Sequence, residues 1–314
     1  MIYIDICKRD NIDKIIDSYY QQVLASSRKK QSLIDWCEEH LSDVYGKKYS
    51  FEEVIKATPS QLKELVKYFD GFDKEDFFKD LYLNRSVYKW EKNEEGKLEK
   101  TTEKNRCYIA DTLYGNMKPQ VRQYLLNSTE VFVCPYCNRN YTYNDDEVST
   151  AQLDHFYSKS VYPILAISFY NLVPSCPTCN RMKKETKFLF HPYDSQDENI
   201  EMVKFSYSIK NSDFLTNKDS IVVEINATDE KYNEQIDELC LKNLYKYHND
   251  IVFDIIRKEN IFNDTYISGL LTDFNGLFSS ECEIKALIFG VPLTKKEVGS
   301  RPLSKLTQDI LSEF

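Results

Sequence analysis

No run of about 18 apolar residues, the length that a transmembrane helix needs, occurs in this 314-residue sequence. The first five residues, MIYID, carry charge too early for a secretory signal, and no internal repeat is visible. Apolar residues make up 42% of the chain, which is enough for a hydrophobic core. We therefore expect a folded cytoplasmic protein with no membrane segment.

A surplus of positive charge is also missing, because the formal net charge is −9. The acidic excess lies in residues 191–314, which hold 13 basic and 22 acidic residues, whereas residues 134–190 hold 6 and 5. Basic residues cluster at Arg181, Lys183, Lys184 and Lys187, where they can meet phosphates locally. The acidic remainder predicts weak unaided affinity for long duplexes, which a nucleic-acid-binding or basic protein partner would offset.

The sequence contains nine cysteines, an odd number that cannot pair completely into disulfides. In a long chain expected to be cytoplasmic, this favours metal binding over disulfides. Cys134 and Cys137 form one Cys-x-x-Cys pair, and Cys176 and Cys179 form another. Two such pairs supply four thiolates for a closed, structural zinc site. A pair of redox dithiols is the alternative, although one such motif after a βαβ strand would be more typical. The remaining cysteines are expected to be inert core thiols: Cys7, Cys37, Cys107, Cys240 and Cys282.

Between the two cysteine pairs lie Asp154 and His155, followed by Asn171, and Asn180 comes directly after the last cysteine. A carboxylate beside an imidazole is typical of a divalent-metal site with a general base. A satisfied buried histidine and an ordinary turn asparagine are the alternatives for His155 and Asn171. Successive strand residues point to opposite faces, so Asp154 and His155 can share a site only if the strand bends or ends there.

Hydrophobic periodicity predicts an α+β fold: a mainly helical chain with a short strand-containing core embedded in it. The predicted domains are a helical region at 1–130, a core at 131–193 and an α+β segment at 194–314. A Thr58 capping box with Pro59 marks one helix start. Glu91–Lys104 is predicted as a solvated hairpin tip or loop. Cys107–Leu126 has helical character, and Pro119 is predicted to open a helix over Gln120–Leu126. The other predicted helices are Asn11–Arg28, Ser32–Val44, Asp73–Leu83, Pro177–Lys187, Asn233–Tyr247, Asp250–Phe262, Glu281–Phe289 and Leu303–Phe314, and the predicted strands are Thr150–Phe156, Asn171–Ser175, Met202–Ile209 and Ser220–Asn226.

The order strand, loop, strand, helix across CPYC, LDHF, NLVPS and CPTCNR resembles the HNH (ββα-metal) endonuclease family in its zinc-ribbon version. The resemblance covers about a fifth of the chain. It implies a ββα-metal core pinned by the four-cysteine zinc and metal-dependent cleavage of nucleic acid, DNA more than RNA, leaving 5′ phosphates.

The same resemblance assigns site residues. It makes Asp154 a ligand of the catalytic Mg²⁺ or Mn²⁺ and His155 the general base. Asn171 would orient that base, and Asn180 would complete the ion's ligand set.

Residues around the core carry further predictions. Lys183 and Lys184 follow Asn180 on the same helix face, so together with Arg181 they are predicted phosphate contacts, with a solvated helix end as the alternative. His191 either anchors the exit from the core or reaches the site, and anchoring is favoured.

The wider layout, including the segment Arg-Pro-Leu-Ser-Lys, resembles the HNH subunits of two-gene bacterial phage-defence systems of the Septu type and the related retron nuclease. That resemblance implies an ATPase partner. Two other functions stay open: a zinc-dependent module that binds nucleic acid or protein without cutting, and a nuclease that cleaves structured RNA such as tRNA.

Overall fold

The computed structural model describes residues 4, 11–26, 30–92, 98–108, 114–115, 117–145, 147–194, 202–294 and 297–314, with only the backbone described for Tyr82–Lys92 and Leu98–Tyr108. The thiols predicted for Cys7 and Cys107 therefore lie outside the described side chains. Within the described ranges, no helix combines the length and apolar character that crossing a membrane requires.

The chain forms two compact units. The helical unit contains Asn11–Leu125 and His155–Leu172, and the cysteine unit contains Met1–Asp10, Leu126–Asp154 and Val173–Phe314. Helices and two-stranded sheets make up the described part of the chain, which is compatible with the predicted α+β class. The predicted domains at 1–130, 131–193 and 194–314 stay a prediction.

Helices account for most of the helical unit: α1 (Ile12–Ser26), α2 (Lys30–His40), α3 (Phe51–Lys56), α4 (Pro59–Phe69), α5 (Lys74–Phe77) and α6 (Pro119–Thr129). The predicted capping box at the start of α4 is confirmed, because Thr58 Oγ1 accepts a hydrogen bond from Gln61 N and Gln61 Oε1 accepts one from Thr58 N. Ser50 and Glu53 make the same reciprocal bonds at the start of α3, a helix that was not predicted from the sequence.

Aromatic side chains pack the core of the helical unit. Trp36 stacks on Phe78 at 5.5 Å between ring centroids, and Phe69 packs edge-on against Phe78 at 5.3 Å. The segment 155–172 joins this core, because Tyr19 Oη donates to the Ile167 carbonyl at 3.0 Å and Ser168 Oγ to the Val54 carbonyl at 2.8 Å. The loop that follows His155 is thereby fixed to the helices.

An antiparallel hairpin is formed by β1 (Tyr82–Lys92) and β2 (Leu98–Tyr108). Its strands include residues 91–92 and 98–104, which were predicted to belong to a solvated hairpin tip or loop, and they overlap the ends of two stretches predicted to be helical. The helix predicted for Asp73–Leu83 is limited to α5 and a 3₁₀ turn at Lys79–Leu81, and Cys107 lies in β2. The helix predicted to open at Pro119 is present as α6. Tyr, Val, Trp and Thr residues in both arms favour strands over a helix. The predicted tip around Gly96 lies outside the described residues.

Strand β3 (Gln152–His155) pairs with β4 (Leu172–Ser175), and β4 leads into α7 (Pro177–Lys183). This order agrees with the predicted strand, loop, strand and helix. All of these residues except His155 and Leu172, at the strand ends, belong to the cysteine unit. The helix predicted to reach Lys187 ends at Lys183, because Lys184 takes a positive φ of 49°.

A second hairpin and several helices complete the cysteine unit: β5 (Val203–Ile209), β6 (Ile221–Ala227), α8 (Asn233–Glu238), α9 (Leu241–Tyr245), α10 (Asn249–Ile261), α11 (Asp264–Asp273), α12 (Glu281–Phe289) and α13 (Ser304–Leu311). The single helix predicted for Asn233–Tyr247 is wrong, because Cys240 has a φ of 49° and separates α8 from α9.

The C-terminal helix α13 supports the first cysteine pair. Asn138, which follows Cys137, accepts a hydrogen bond on Oδ1 from Lys305 N at 2.9 Å and one on its carbonyl from Leu303 N at 2.6 Å. Tyr245 Oη donates to the Cys137 carbonyl at 2.5 Å. Residues far along the chain therefore hold the cysteine turn in place.

Candidate metal centre and nuclease site

Four cysteines converge in the cysteine unit. The sulfur atoms of Cys134, Cys137, Cys176 and Cys179 all lie within 4.8 Å of one another, and all four residues are buried. The turn after Cys134 is closed by Asn138, whose N–H donates to the Cys134 carbonyl at 2.8 Å. The predicted pairing of the two Cys-x-x-Cys motifs is thus present in the fold.

The cluster has the dimensions of a zinc site. Tetrahedral zinc with Zn–S bonds of about 2.3 Å separates its sulfur ligands by about 3.8 Å, and the Cys137 and Cys176 sulfurs are 4.0 Å apart. Arg139 N and Asn140 Nδ2 donate to sulfur at 3.4 and 3.3 Å, as thiolate ligands require. These residues could therefore bind one zinc ion, and four protein ligands would leave it no position for a substrate.

Burial disfavours the ionised form of a thiol in this cluster. Burial raises the pKa of the Cys134 thiol well above its usual value, and a bound metal would oppose this by stabilising the thiolate. Cys37, by contrast, is a buried thiol whose pKa burial raises to about 12, which fits the inert role predicted for it. Cys240 is half-buried and Cys282 is exposed, so neither lies in the core.

Asp154 lies inside the same unit, with only 3% of its surface exposed. Its Oδ2 accepts a hydrogen bond from Tyr136 Oη at 2.6 Å, and Lys183 Nζ lies 3.4 Å from the same oxygen. Burial raises the pKa of Asp154, while the Lys183 charge and the Tyr136 hydroxyl oppose that rise. The carboxylate is therefore held between a residue of the first cysteine turn and the last residue of α7.

Lys183 has no exposed surface, and its ammonium also lies 5.4 Å from the centre of the Phe188 ring. In this position it neutralises Asp154 and has no path to a phosphate. Arg181 and Lys184 are exposed. Of the three predicted phosphate contacts, Arg181 and Lys184 therefore remain predictions, and Lys183 does not.

Asn180 is half-buried on α7, where its Nδ2 donates to Gln152 Oε1 at 2.7 Å on β3. Among the described residues, the contacts of the Asp154 carboxylate are Tyr136 and Lys183, and Asn180 is not one of them. Asp154 and Asn180 both supply oxygen atoms, the donors that Mg²⁺ and Mn²⁺ prefer. Their shared ion remains a prediction.

His155 belongs to the helical unit, and its ring is half-buried. Nε2 lies 2.9 Å from the Ala166 carbonyl oxygen, which can only accept a hydrogen bond. Neutral His155 therefore carries its proton on Nε2 and has its lone pair on Nδ1. That tautomer leaves Nδ1 as the nitrogen that can take up a proton.

Asn171 is fully buried and joins the two ends of the loop that follows His155. Its Oδ1 accepts from Tyr157 N at 2.7 Å, and its Nδ2 donates to the carbonyls of Tyr157 and Leu165 at 3.1 and 2.8 Å. Leu165 precedes Ala166, the partner of His155. This geometry is consistent with the positioning role predicted for Asn171 and differs from that of an exposed turn residue.

His191 is buried, and its Nδ1 accepts a hydrogen bond from Tyr193 N at 3.2 Å. Burial, and next the Lys183 charge, lower its pKa to about 3, so the ring is neutral near pH 7. This contact closes the His-Pro-Tyr turn, in agreement with the anchoring role favoured from the sequence.

Two contacts were not anticipated from the sequence. Tyr136 stands between Cys134 and Cys137, and only its place inside the motif could have drawn attention to its hydroxyl. Tyr114, whose ring lies 4.5 Å from that of His155, is 41 positions earlier and carries no local signal.

Comparison with known proteins gives one partial similarity. A stretch of 142 residues is 29% identical to the Septu protein PtuB of Bacillus thuringiensis and covers 44% of this chain and 51% of that protein. The chain thus matches about half the length of this curated relative. No protein-family model and no solved structure matches the sequence.

Proposed function

We propose that this protein is a component of a Septu-type phage-defence system and acts in it as a metal-dependent endonuclease of the HNH kind. The similarity to the Septu protein PtuB carries the defence part of the proposal. The four-cysteine cluster, with β3, β4 and α7 beside it, supports the nuclease part because a zinc-pinned core of this order is what the HNH resemblance implies.

The proposed chemistry is hydrolysis of a phosphodiester. Asp154 and Asn180 would hold Mg²⁺ or Mn²⁺ through their oxygen atoms, and the ion would stabilise charge on the departing 3′ oxygen. His155 would act as general base through Nδ1, the nitrogen that the Ala166 contact leaves able to accept a proton. Asn171 would hold the loop that fixes this ring.

A protein partner, an ATPase, is part of the proposal. The net charge of −9 opposes tight binding to nucleic acid by this chain alone, and its acidic excess lies in residues 191–314. A partner that binds DNA would supply the missing affinity. We place this pair in the cytoplasm and take DNA as the substrate.

The test is cleavage of supercoiled plasmid by the purified chain with its partner, in added magnesium or manganese. Wild type is expected to nick or linearise the plasmid, and His155→Ala is expected to be at least about 100-fold slower, as for loss of a general base. His40→Gln is the matched control, because His40 is a half-buried helix residue that stacks on Trp36.

Equal rates for wild type and His155→Ala would contradict the nuclease proposal. Cleavage of tRNA without cleavage of plasmid would favour an RNA nuclease. Tight nucleic-acid binding with no cleavage under any metal condition would favour a non-cutting binding module.

A further inference from the structure

We propose that Arg122 and Lys159 form a binding site for a nucleic-acid phosphate beside His155. The site lies wholly within the helical unit, since Arg122 is on α6 and Lys159 is in the loop that follows His155. The inference rests on the proposed nuclease function and adds the residues that would hold the phosphodiester backbone.

Both cations contact one aromatic ring. The centre of the Tyr114 ring lies 4.8 Å from the Arg122 guanidinium carbon and 5.5 Å from Lys159 Nζ. The same ring packs edge-on against His155 at 4.5 Å between centroids, with an interplanar angle of 70°. One tyrosine thus brings two positive charges and the predicted general base into one cluster.

Arg122 is a cation without a carboxylate partner among the described residues. Its Nη2 donates to the Tyr114 carbonyl at 2.6 Å and lies 3.5 Å from the Gly115 carbonyl, and its Nε has no hydrogen-bond partner within the described part of the chain. Arg122 adds positive potential at the Tyr114 ring, and Lys159 lies against the same ring. An anion with several oxygen acceptors would satisfy the open Nε of Arg122, and phosphate suits the guanidinium fork.

The cluster is accessible, because Tyr114, Arg122, His155 and Lys159 are all half-buried rather than enclosed. Cations grouped around an aromatic side chain are a common feature of sites that bind a nucleic-acid strand, where the cations contact the phosphates. An acidic peptide would use the cations but would have no use for an imidazole with a basic Nδ1. These features favour a phosphodiester as the ligand.

The experiment measures binding without cleavage. Because the chain alone is expected to bind DNA weakly, full-length, zinc-loaded protein is titrated to high concentration into a short fluorescein-labelled DNA duplex with no added magnesium or manganese. The salt series starts at low ionic strength, where weak electrostatic binding is measurable. Arg122→Gln and Lys159→Gln are each expected to weaken binding several-fold and to lower the salt slope by about 1. The double variant is expected to combine both effects.

Matched controls separate this site from a general loss of charge. Lys67 lies 5.9 Å from the Tyr45 ring in the same unit, and Arg257 lies 5.3 Å from the Phe253 ring in the other unit, and both are exposed. Lys67→Gln and Arg257→Gln are expected to leave the affinity and the salt slope unchanged. Arg122→Lys keeps the charge, so it is expected to recover most of the binding if Arg122→Gln lowers the thermal stability.

The inference is overturned if wild type does not bind the duplex, if the control variants lose as much affinity as Arg122→Gln and Lys159→Gln, or if polyglutamate competes as well as unlabelled DNA. Plasmid cleavage by wild type with no binding loss in the glutamine variants would refute this site and leave the nuclease proposal standing. Binding that depends on Arg122 and Lys159 in a protein that never cuts would refute the nuclease and leave the phosphate site standing.

Discussion

The four-cysteine cluster and the Asp154 carboxylate are two buried acidic centres in one unit, and they differ in where their cation comes from. The cysteine sulfurs accept hydrogen bonds from the Arg139 backbone N–H and the Asn140 amide, which carry no charge, so a zinc ion from solution would supply the positive charge there. Asp154 instead has Lys183, a fully buried ammonium 3.4 Å away. Buried negative charge needs a positive partner in either case.

The two centres also differ in whether the positive charge is part of the chain: the cysteines would take up a zinc ion, whereas Lys183 is built into the sequence. If zinc is removed, the cysteine cluster loses its cation, whereas Asp154 keeps Lys183. Tyr136 connects the two centres, since it lies between two of the cysteines and donates its hydroxyl to Asp154. Substitutions at each centre should therefore have different consequences for stability.

The largest expected effect is at the cysteines. Cys176→Ser should abolish zinc binding and the cooperative unfolding transition of the cysteine unit, because a structural zinc contributes on the order of 10 kcal/mol to folding. Cys282→Ser, at an exposed cysteine, is the control and should unfold as wild type does. Thermal unfolding followed by circular dichroism measures both, and an unchanged transition in Cys176→Ser would show that the cluster needs no metal.

A smaller loss is expected at the internal cation. Lys183→Met leaves Asp154 buried without a partner, which should lower the free energy of unfolding by about 3–5 kcal/mol. Adding Asp154→Asn to this variant should recover part of the loss. Lys79→Met removes the exposed pair with Asp76, at 3.2 Å, and should change stability by less than about 1 kcal/mol. Urea denaturation would contradict the account if Lys183→Met and Lys79→Met were equally stable.

The Tyr136 hydroxyl, which connects the two centres, is expected to contribute less to the free energy of unfolding than Lys183 does. Tyr136→Phe removes a hydrogen bond to a charged group and is expected to cost about 1.5–3 kcal/mol. Tyr19→Phe is the matched control: it is equally buried, but its hydroxyl bonds the neutral Ile167 carbonyl, so about 1 kcal/mol is expected. Equal losses from the two variants, in the same denaturation experiment, would mean that Asp154 does not carry a charge that Tyr136 stabilises.

The smallest effect on stability is expected next to Lys183. Arg181 and Lys184 are exposed, so Arg181→Gln and Lys184→Gln should change the free energy of unfolding by no more than about 0.5 kcal/mol. Each should nevertheless weaken DNA binding and lower its salt slope, because these side chains are the proposed phosphate contacts. A DNA affinity equal to that of wild type in the double variant would remove both residues from the proposal.

Local sequence signals predicted the features that depend on neighbours in the chain. The two Cys-x-x-Cys pairs come together as their spacing indicated, and the Thr58 capping box is present because its four residues make their bonds among themselves. The strand, loop, strand and helix order around Asp154 also followed from short patterns.

Features that depend on tertiary contacts were not predictable in this way. Lys183 is buried and Lys184 is exposed because α7 ends at Lys183 and Lys184 takes a positive φ. Helical periodicity places both lysines on or beside the face of Asn180 and does not distinguish the buried one. The contact of Tyr114 with His155 joins segments 41 positions apart, and no local pattern encodes it. The break at Cys240 likewise interrupts an apolar pattern that predicts one helix.

The most direct test of the account is the zinc content of the purified full-length chain, measured by elemental analysis together with the number of reactive thiols in the folded protein. The account predicts about one zinc per chain, with Cys134, Cys137, Cys176 and Cys179 protected from thiol reagents. Lys183→Met should keep this zinc, because its centre has a separate cation, and Cys176→Ser should lose it. A folded wild-type chain without metal, with all four of these cysteines reactive, would contradict the central claim.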